Sequence, residues 1–319
     1  MKLMKLSLAL TTSVLAFTVA ANAQERWSIA TSSTGSGPYI NGSAIAENVN
    51  SKQKELSVSA QTSGGYNDNL GLVAAGEATS GLTLLSELGD AWRGTGKFET
   101  LPNAKEMFAP LRRMFPVTTA TFQCVVLAES GIKSFADMKG KKFNVNVPAT
   151  ATHAVNMNLI AAFNMAASDF NIFEIATSGS YDALSNGIVD MTCNGQPMPS
   201  SSILQVAASK PVDVIPIPDE VLARMNEAYF GTMLRVTIPA GTYAGQDEEV
   251  TTFAYPEVLF VREDASEEAV YTFTKAYWEG AQPDSPAFKQ VSVENAALNV
   301  DPPLHPGTER YLRERGLLD

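Results

Sequence analysis

Three times before residue 92 the chain passes from an apolar strand, through a short loop of Ser, Thr and Gly, into a helix. Ile29-Ala30 leads through Thr31-Ser32-Ser33-Thr34-Gly35-Ser36-Gly37 into a helix opened by Pro38. Leu56 to Thr62 alternates apolar and polar, as a half-buried strand does, and runs through Ser63-Gly64-Gly65 into a short helix that ends at Gly76. Gly81 to Leu85 is an apolar strand followed by Ser86-Glu87 and a helix reaching Trp92. This alternation restricts the fold to α/β, with a mostly parallel sheet whose ligand crevice lies at the strand C-termini. The first loop offers hydroxyls and uncovered backbone N–H groups at a helix start, a place suited to a carboxylate or phosphate. A plain Gly-Ser-Gly-Pro turn is the competing reading.

The same pattern returns later in the chain. Leu111 to Phe115 and Val117 to Leu127 read as strands, the second rich in β-branched residues. Phe143 to Val147 alternates, and Pro148-Ala149-Thr150-Ala151-Thr152-His153 opens a helix expected to run through Ala167, with Thr150 or Thr152 as its cap. Ile188 to Cys193 and Val212 to Ile217 are further strands, and Ser200-Ser201-Ser202 leads into a helix from Ile203. Val258 to Val261 is a strand, Ser266 caps a helix through Trp278, and Tyr311 to Gly316 is a last helical piece.

Composition narrows the function. Lys2 and Lys5, the apolar run Leu6–Ala20 and Ala21-Asn22-Ala23 form a secretory leader cleaved near Ala23, so the mature chain is expected in the periplasm. No second apolar run long enough to cross a membrane follows, so the mature chain is not expected to be membrane-embedded. The formal charge of −11 becomes more negative once the two leader lysines are gone, which argues against nucleic acid as a partner. A local array of N–H donors can still hold an anion. Cys124 and Cys193, the only cysteines, sit in apolar strand-like runs and read as two buried thiols, with pairing in an oxidising compartment the other possibility. His153 and His305 are far apart and lack metal-ligand spacing, so no metal is expected. No nucleophile elbow or P-loop is present, and no catalytic residue or cofactor is expected. Asp247-Glu248-Glu249 and Glu267-Glu268 read as solvated faces or helix starts. Arg112-Arg113 is the one basic pair inside an apolar run; a carboxylate clamp at the crevice and an exposed strand edge are both open to it, as ligand donor and surface residue are to His153.

Several stretches together resemble the substrate-binding component of TAXI-type TRAP (tripartite ATP-independent periplasmic) transporters. They are Thr34-Gly35-Ser36-Gly37-Pro38-Tyr39 with Gly42-Ser43-Ala44-Ile45-Ala46, Thr62-Ser63-Gly64-Gly65 with Asn69-Leu70, and Gly94-Thr95-Gly96. Ser130 to Lys141, Ile238 to Asp247 and Pro303-Leu304-His305-Pro306-Gly307-Thr308-Glu309-Arg310-Tyr311 complete the match, which covers nearly the whole mature chain. The resemblance implies a two-lobed periplasmic binding protein of type II, monomeric, each lobe a mostly parallel sheet flanked by helices. It further implies a small carboxylate, such as glutamate or a related dicarboxylate, held in the interlobe cleft and passed to a membrane permease. One lobe would comprise 24–116 and 251–319 and the other 117–250. Carried over by motif, the binding residues are Thr34, Gly35, Ser36, Tyr39, Ser63, Gly64, Gly65, Ser86, Thr150, Ala151, Thr152 and Ser200. The second-lobe loop Ala149-Thr150-Ala151-Thr152 departs from the family's Gly-Ser-Gly-Thr. An exported sensor and a periplasmic hydrolase are the competing functions.

Overall fold

The computed structural model describes residues 24–148, 150–280, 282–284 and 286–319; the leader at 1–23 and Ala149 of the second loop lie outside them. In chain order the first part holds β1 (Glu25–Ala30), α1 (Gly37–Lys52), β2 (Leu56–Gln61), α2 (Tyr66–Ala74), β3 (Ser80–Leu84), α3 (Leu85–Arg93) and α4 (Ala104–Phe108). The middle holds β4 (Leu111–Leu127), β5 (Lys142–Asn144), α5 (Ala151–Ala162), β6 (Asn171–Phe173), α6 (Thr177–Ser185), β7 (Met191–Gln196), α7 (Ser201–Ala207), β8 (Val212–Val214) and α8 (Asp219–Ala228). The last part holds β9 (Leu234–Ile238), β10 (Val250–Arg262), α9 (Glu267–Glu279), α10 (Pro286–Lys289) and α11 (Pro306–Glu314).

The ten strands of the described residues join one sheet in the order β2-β1-β3-β10-β4-β7-β5-β6, with β8 added to β4 and β9 to β10. β1, β2 and β3 are parallel at one end, β5, β6 and β7 at the other, and the long strands β4 and β10 join the two sets through antiparallel pairs. The alternation seen in the sequence therefore builds two parallel units on a shared antiparallel spine. Each unit has helices on both faces. At the β1 end, α1, α9 and α11 cover Trp27, Ile29, Phe115, Leu259 and Val261, while α2, α3 and α4 cover Ala30, Leu111 and Phe260. At the β5 end, α5 and α8 cover Phe122, Phe143 and Phe253, while α6 and α7 cover Val125, Val214 and Ile238.

Several expectations from sequence shift. The two predicted strands at Leu111–Leu127 are one, carried through Pro116 where the pairing with β10 is irregular around Val258; a proline lacks the ladder donor and is tolerated at such a break. The helix expected to reach Ala167 stops at Ala162, and Asn164 just beyond it takes a left-handed φ of 57°. β7 starts at Met191 rather than Ile188, because Gly187 turns the chain with φ 69°. The final helix starts at Pro306, capped by His305. Cys124 and Cys193 are not two thiols: they lie opposite each other on β4 and β7 and form a disulfide. Among the described residues no helix is long and apolar enough to cross a membrane.

Candidate functional site

The registers place the loops. Leu84, the last residue of β3, pairs with Glu257 midway along β10, and Gln196, the last of β7, pairs with Thr121 midway along β4. Both parallel sets thus point their C-terminal ends at the same short stretch of the spine, Thr118–Thr121 beside Ala254–Glu257. Thr121 lies opposite Ala254, so the two sets end three residues apart along β10, about 10 Å at the rise of a strand. That gap is the width of a small molecule.

Four Ser/Thr/Gly loops border it. In the first, Thr31 is buried and its hydroxyl donates to the Gln61 carbonyl at 2.8 Å, fixing the exit from β1. Gly42 on α1 packs so closely there that a Cβ would lie 2.4 Å from the Thr31 methyl group. Ser36 is the N-cap of α1 and accepts from the Tyr39 N–H, with Pro38 in the first turn. Thr34 and Gly35 are exposed and Tyr39 is half-buried. In the second loop Gly65 takes φ 109°, a conformation open to glycine, and its N–H bonds the Ser63 hydroxyl at 3.1 Å. Ser63 donates to Asn69, and the Asn69 amide donates to the carbonyls of Thr31 and Leu82, tying the loops after β1 and β2 to strand β3. Gly64 is exposed, and its N–H donates to Asp68. Ser86 sits half-buried in the first turn of α3.

At the other end Thr150 is the N-cap of α5: its hydroxyl accepts from the His153 N–H at 3.2 Å and donates to the Val147 carbonyl at 2.8 Å. Ala151 is exposed and Thr152 half-buried. Beneath them lies a neutral network: Asn146 donates to Thr177, Thr177 to Asn194, and Asn194 to Ser180 and Thr192. Ser200 is almost fully buried. Its hydroxyl caps α7 and donates to Gln196, while its N–H donates to the Tyr243 hydroxyl, so its polar groups already serve the loop. The structure thus gathers Thr34, Gly35, Ser36, Tyr39, Ser63, Gly64, Gly65 and Ser86 at one set of strand ends. Thr150, Ala151, Thr152 and Ser200 stand at the other.

Neither arginine lies at the gap. Arg113 is buried and donates to the carbonyls of Ala296, Leu298, Val300 and Pro302, and Arg112 pairs with Glu263. His153 lies 4.0 Å from Glu174. His305 caps α11, and burial holds its ring below the usual histidine range. Among the described residues no cluster of His, Cys, Asp or Glu could hold a metal ion.

The floor of the gap is not legible in the sequence. Glu257 is buried and accepts from the Tyr66 hydroxyl (2.7 Å), the Asn41 amide (2.8 Å) and the Thr118 hydroxyl (2.7 Å). Burial raises its carboxyl above the usual range, against the three hydrogen bonds, and burial together with Glu257 raises Tyr66 well above its ordinary value. Tyr255, two residues back, shares the face of Glu257; its ring packs edge-on against Phe122 and Phe253, and its buried hydroxyl has no partner. The signal available in the sequence was an acid directly after a proline in an apolar strand, Pro256-Glu257-Val258.

The family model described as the NMT1-like family matches residues 29–316, and the chain belongs to that family. Among solved structures it is similar to a TctC solute binding protein from Polaromonas, 10% identical over 91% of this chain and 88% of that one, with a TM-score of 0.54. It also matches the periplasmic sulfonate-binding protein SsuA from Methylobacillus flagellatus KT, 13% identical over 92% and 88% of the two chains, TM-score 0.48. The fold is that of a two-lobed type II periplasmic binding protein.

Proposed function

We propose that this member of the NMT1-like family is an extracytoplasmic solute-binding protein of the TAXI type, exported to the periplasm and working as a monomer. It captures a small carboxylate and delivers it to TRAP permease subunits. The lobes are 24–116 with 251–319, and 117–250, hinged where β4 and β10 pass between them. The observation that carries this reading is the convergence of both sets of strand ends on one 10 Å stretch of the spine. Loops placed there on two bodies joined by two strands close on a ligand by hinge motion.

The binding groups are Thr34, Gly35, Ser36 and Tyr39 with Ser63, Gly64, Gly65 and Ser86 from one lobe, and Thr150, Ala151, Thr152 and Ser200 from the other. In the first turn of α1 Pro38 has no N–H and Ser36 takes those of Tyr39 and Ile40, which leaves that of Gly37; α5 starts behind the Thr150 cap, and the helix dipoles favour a carboxylate at both starts. Recognition needs no cofactor and no catalytic group. The test is native mass spectrometry of the protein purified from a periplasmic extract, followed by calorimetric titration with the released compound. A carboxylate of small mass, bound reversibly and returned unchanged, is the expected result. Turnover of the compound, or a ligand with no carboxylate, would overturn the proposal.

A further inference from the structure

We infer that Glu257 is the specificity-determining charge of the proposed cleft, selecting a ligand that carries a protonated amine beside its carboxylate. The inference rests on the solute-binding reading above and goes beyond it, because a simple dicarboxylate would lack the group that Glu257 is placed to receive.

The geometry begins with position. Glu257 stands on β10 at the register where β3 ends, on the face of the sheet that α1 covers in one lobe. Phe253 and Phe122, on the same face further along the spine, are covered by α5 in the other lobe. Both helices approach this face with their N-termini toward the gap, and Glu257 lies on the spine between them. Its three partners come from three elements, Asn41 on α1, Tyr66 at the first position of α2 and Thr118 on β4.

All three partners are neutral donors. Two of them bond Oε2, while Oε1 takes the Tyr66 hydroxyl alone. An ionised carboxylate offers about four acceptor sites, and the three protein donors occupy three of them, leaving Oε1 one acceptor short of its share. Buried charges are ordinarily paired with an opposite charge. Here the segments that carry Glu257, its three partners and its strand neighbour Leu84, namely 37–44, 62–69, 84–87, 116–121 and 254–258, hold no lysine or arginine. The one further charge that bears on Tyr66 is Glu87, of the same sign. A ligand ammonium donating to Oε1 supplies the missing countercharge, while its carboxylate takes the N–H groups of the helix starts. A second carboxylate in that position would face Glu257 across a desolvated floor.

The test is calorimetric titration of wild type, Glu257→Gln and Tyr66→Phe with matched pairs: L-glutamate and 2-oxoglutarate, L-alanine and pyruvate, L-leucine and 4-methyl-2-oxopentanoate. Each pair differs only by amine against ketone. For the pair that binds, wild type is expected to hold the amino acid at least about tenfold more tightly, as for a hydrogen bond to a charged group. Glu257→Gln keeps the shape and removes the charge, and should bring the two within about twofold of each other. Tyr66→Phe keeps the charge and should retain the preference. Thermal melts of both variants check that they are folded. A wild type that prefers the oxo acid, a preference unchanged in Glu257→Gln, or a preference lost equally in Tyr66→Phe overturns the assignment while leaving the carboxylate reading standing. Binding of no member of any pair by wild type counts against both.

Discussion

Replacing Arg113 by methionine separates two roles for the one basic pair inside an apolar run. In the structure its guanidinium donates to four carbonyls of the 296–302 segment, and its backbone bonds Pro303 and His305 on either side of Leu304. Arg113 therefore pins the strap that leads into α11. Burial lowers its pKa to about 10, partly offset by Glu309 and Asp301, so it stays charged at neutral pH. Methionine fills the stem but leaves four carbonyls without their donor. Each buried, unsatisfied group costs about 1–3 kcal/mol, and water can reach the half-buried Leu298 and Val300, so the expected loss is about 3–5 kcal/mol. That is a large share of the roughly 5–15 kcal/mol that holds a typical native domain. Urea unfolding of wild type, Arg113→Met and Arg113→Lys measures it, with lysine intermediate because its three donors cannot span the four carbonyls. Ligand affinity of the folded methionine variant should stay within about threefold of wild type. A stability loss under about 1 kcal/mol, or an affinity loss without one, would refute the reasoning and return Arg113 to the cleft.

Thr34→Ala should weaken ligand binding by about 1–2 kcal/mol in calorimetry with no change in melting temperature, because Thr34 is exposed and outside the helix cap. Thr150→Ala should weaken binding similarly and also lower stability by about 1 kcal/mol, since its hydroxyl caps α5; a melt identical to wild type would refute the second part. Replacing Cys124 and Cys193 together by serine opens a link between residues 69 apart and should cost about 3–4 kcal/mol in guanidinium unfolding, with a dithiothreitol-treated wild type matching it. Glu257 gives a pH dependence of defined sign. Its folded-state pKa is raised from 4.5, so its contribution is fully present below about 4.5 and lost as pH rises through the folded value. Wild type should therefore lose stability relative to Glu257→Gln as pH rises across that window; a constant difference in melting temperature would show that the carboxyl is not perturbed.

What was legible in the sequence was local. The helix starts at Pro38, at Thr150 or Thr152 and at Ser266 are legible because cap chemistry acts over three residues, and in the structure Ser36, Thr150 and Ser266 are the caps. The Ser/Thr/Gly loops were legible for the same reason. Glu257 was not, because its partners lie 216, 191 and 139 residues away, and only the register of β10 against β4 and the packing of α1 and α2 bring them together. The disulfide needed the pairing of β4 with β7, a long-range fact. Arg113 could be read as clamp or as edge; the carbonyls it serves belong to a segment nearly two hundred residues on.

The two faces of the spine are tied differently, which bears on the proposed lobe motion. On one face Asn41 and Tyr66 reach Glu257 from helices at the β1 end and Thr118 reaches it from β4, so in the proposed motion the cluster would follow the β1 unit through two of its three bonds. On the other face the hydroxyls of Thr119 and Thr121 both donate to Gln290, and the Gln290 amide donates to the Met198 carbonyl in the loop after β7. Arg93 adds a second link, stacking on Phe230 with 3.9 Å between guanidinium carbon and ring centroid. The proposed rotation about Thr118–Thr121 and Ala254–Glu257 would have to be accommodated at Gln290 and at Phe230. The carboxylate floor would meanwhile keep its bonds to Asn41 and Tyr66 of the β1 unit. A ligand anchored at Glu257 would thus be presented by one lobe as a fixed surface, and the neutral amides and hydroxyls around Asn146, Thr177 and Asn194 would be brought to it by the other.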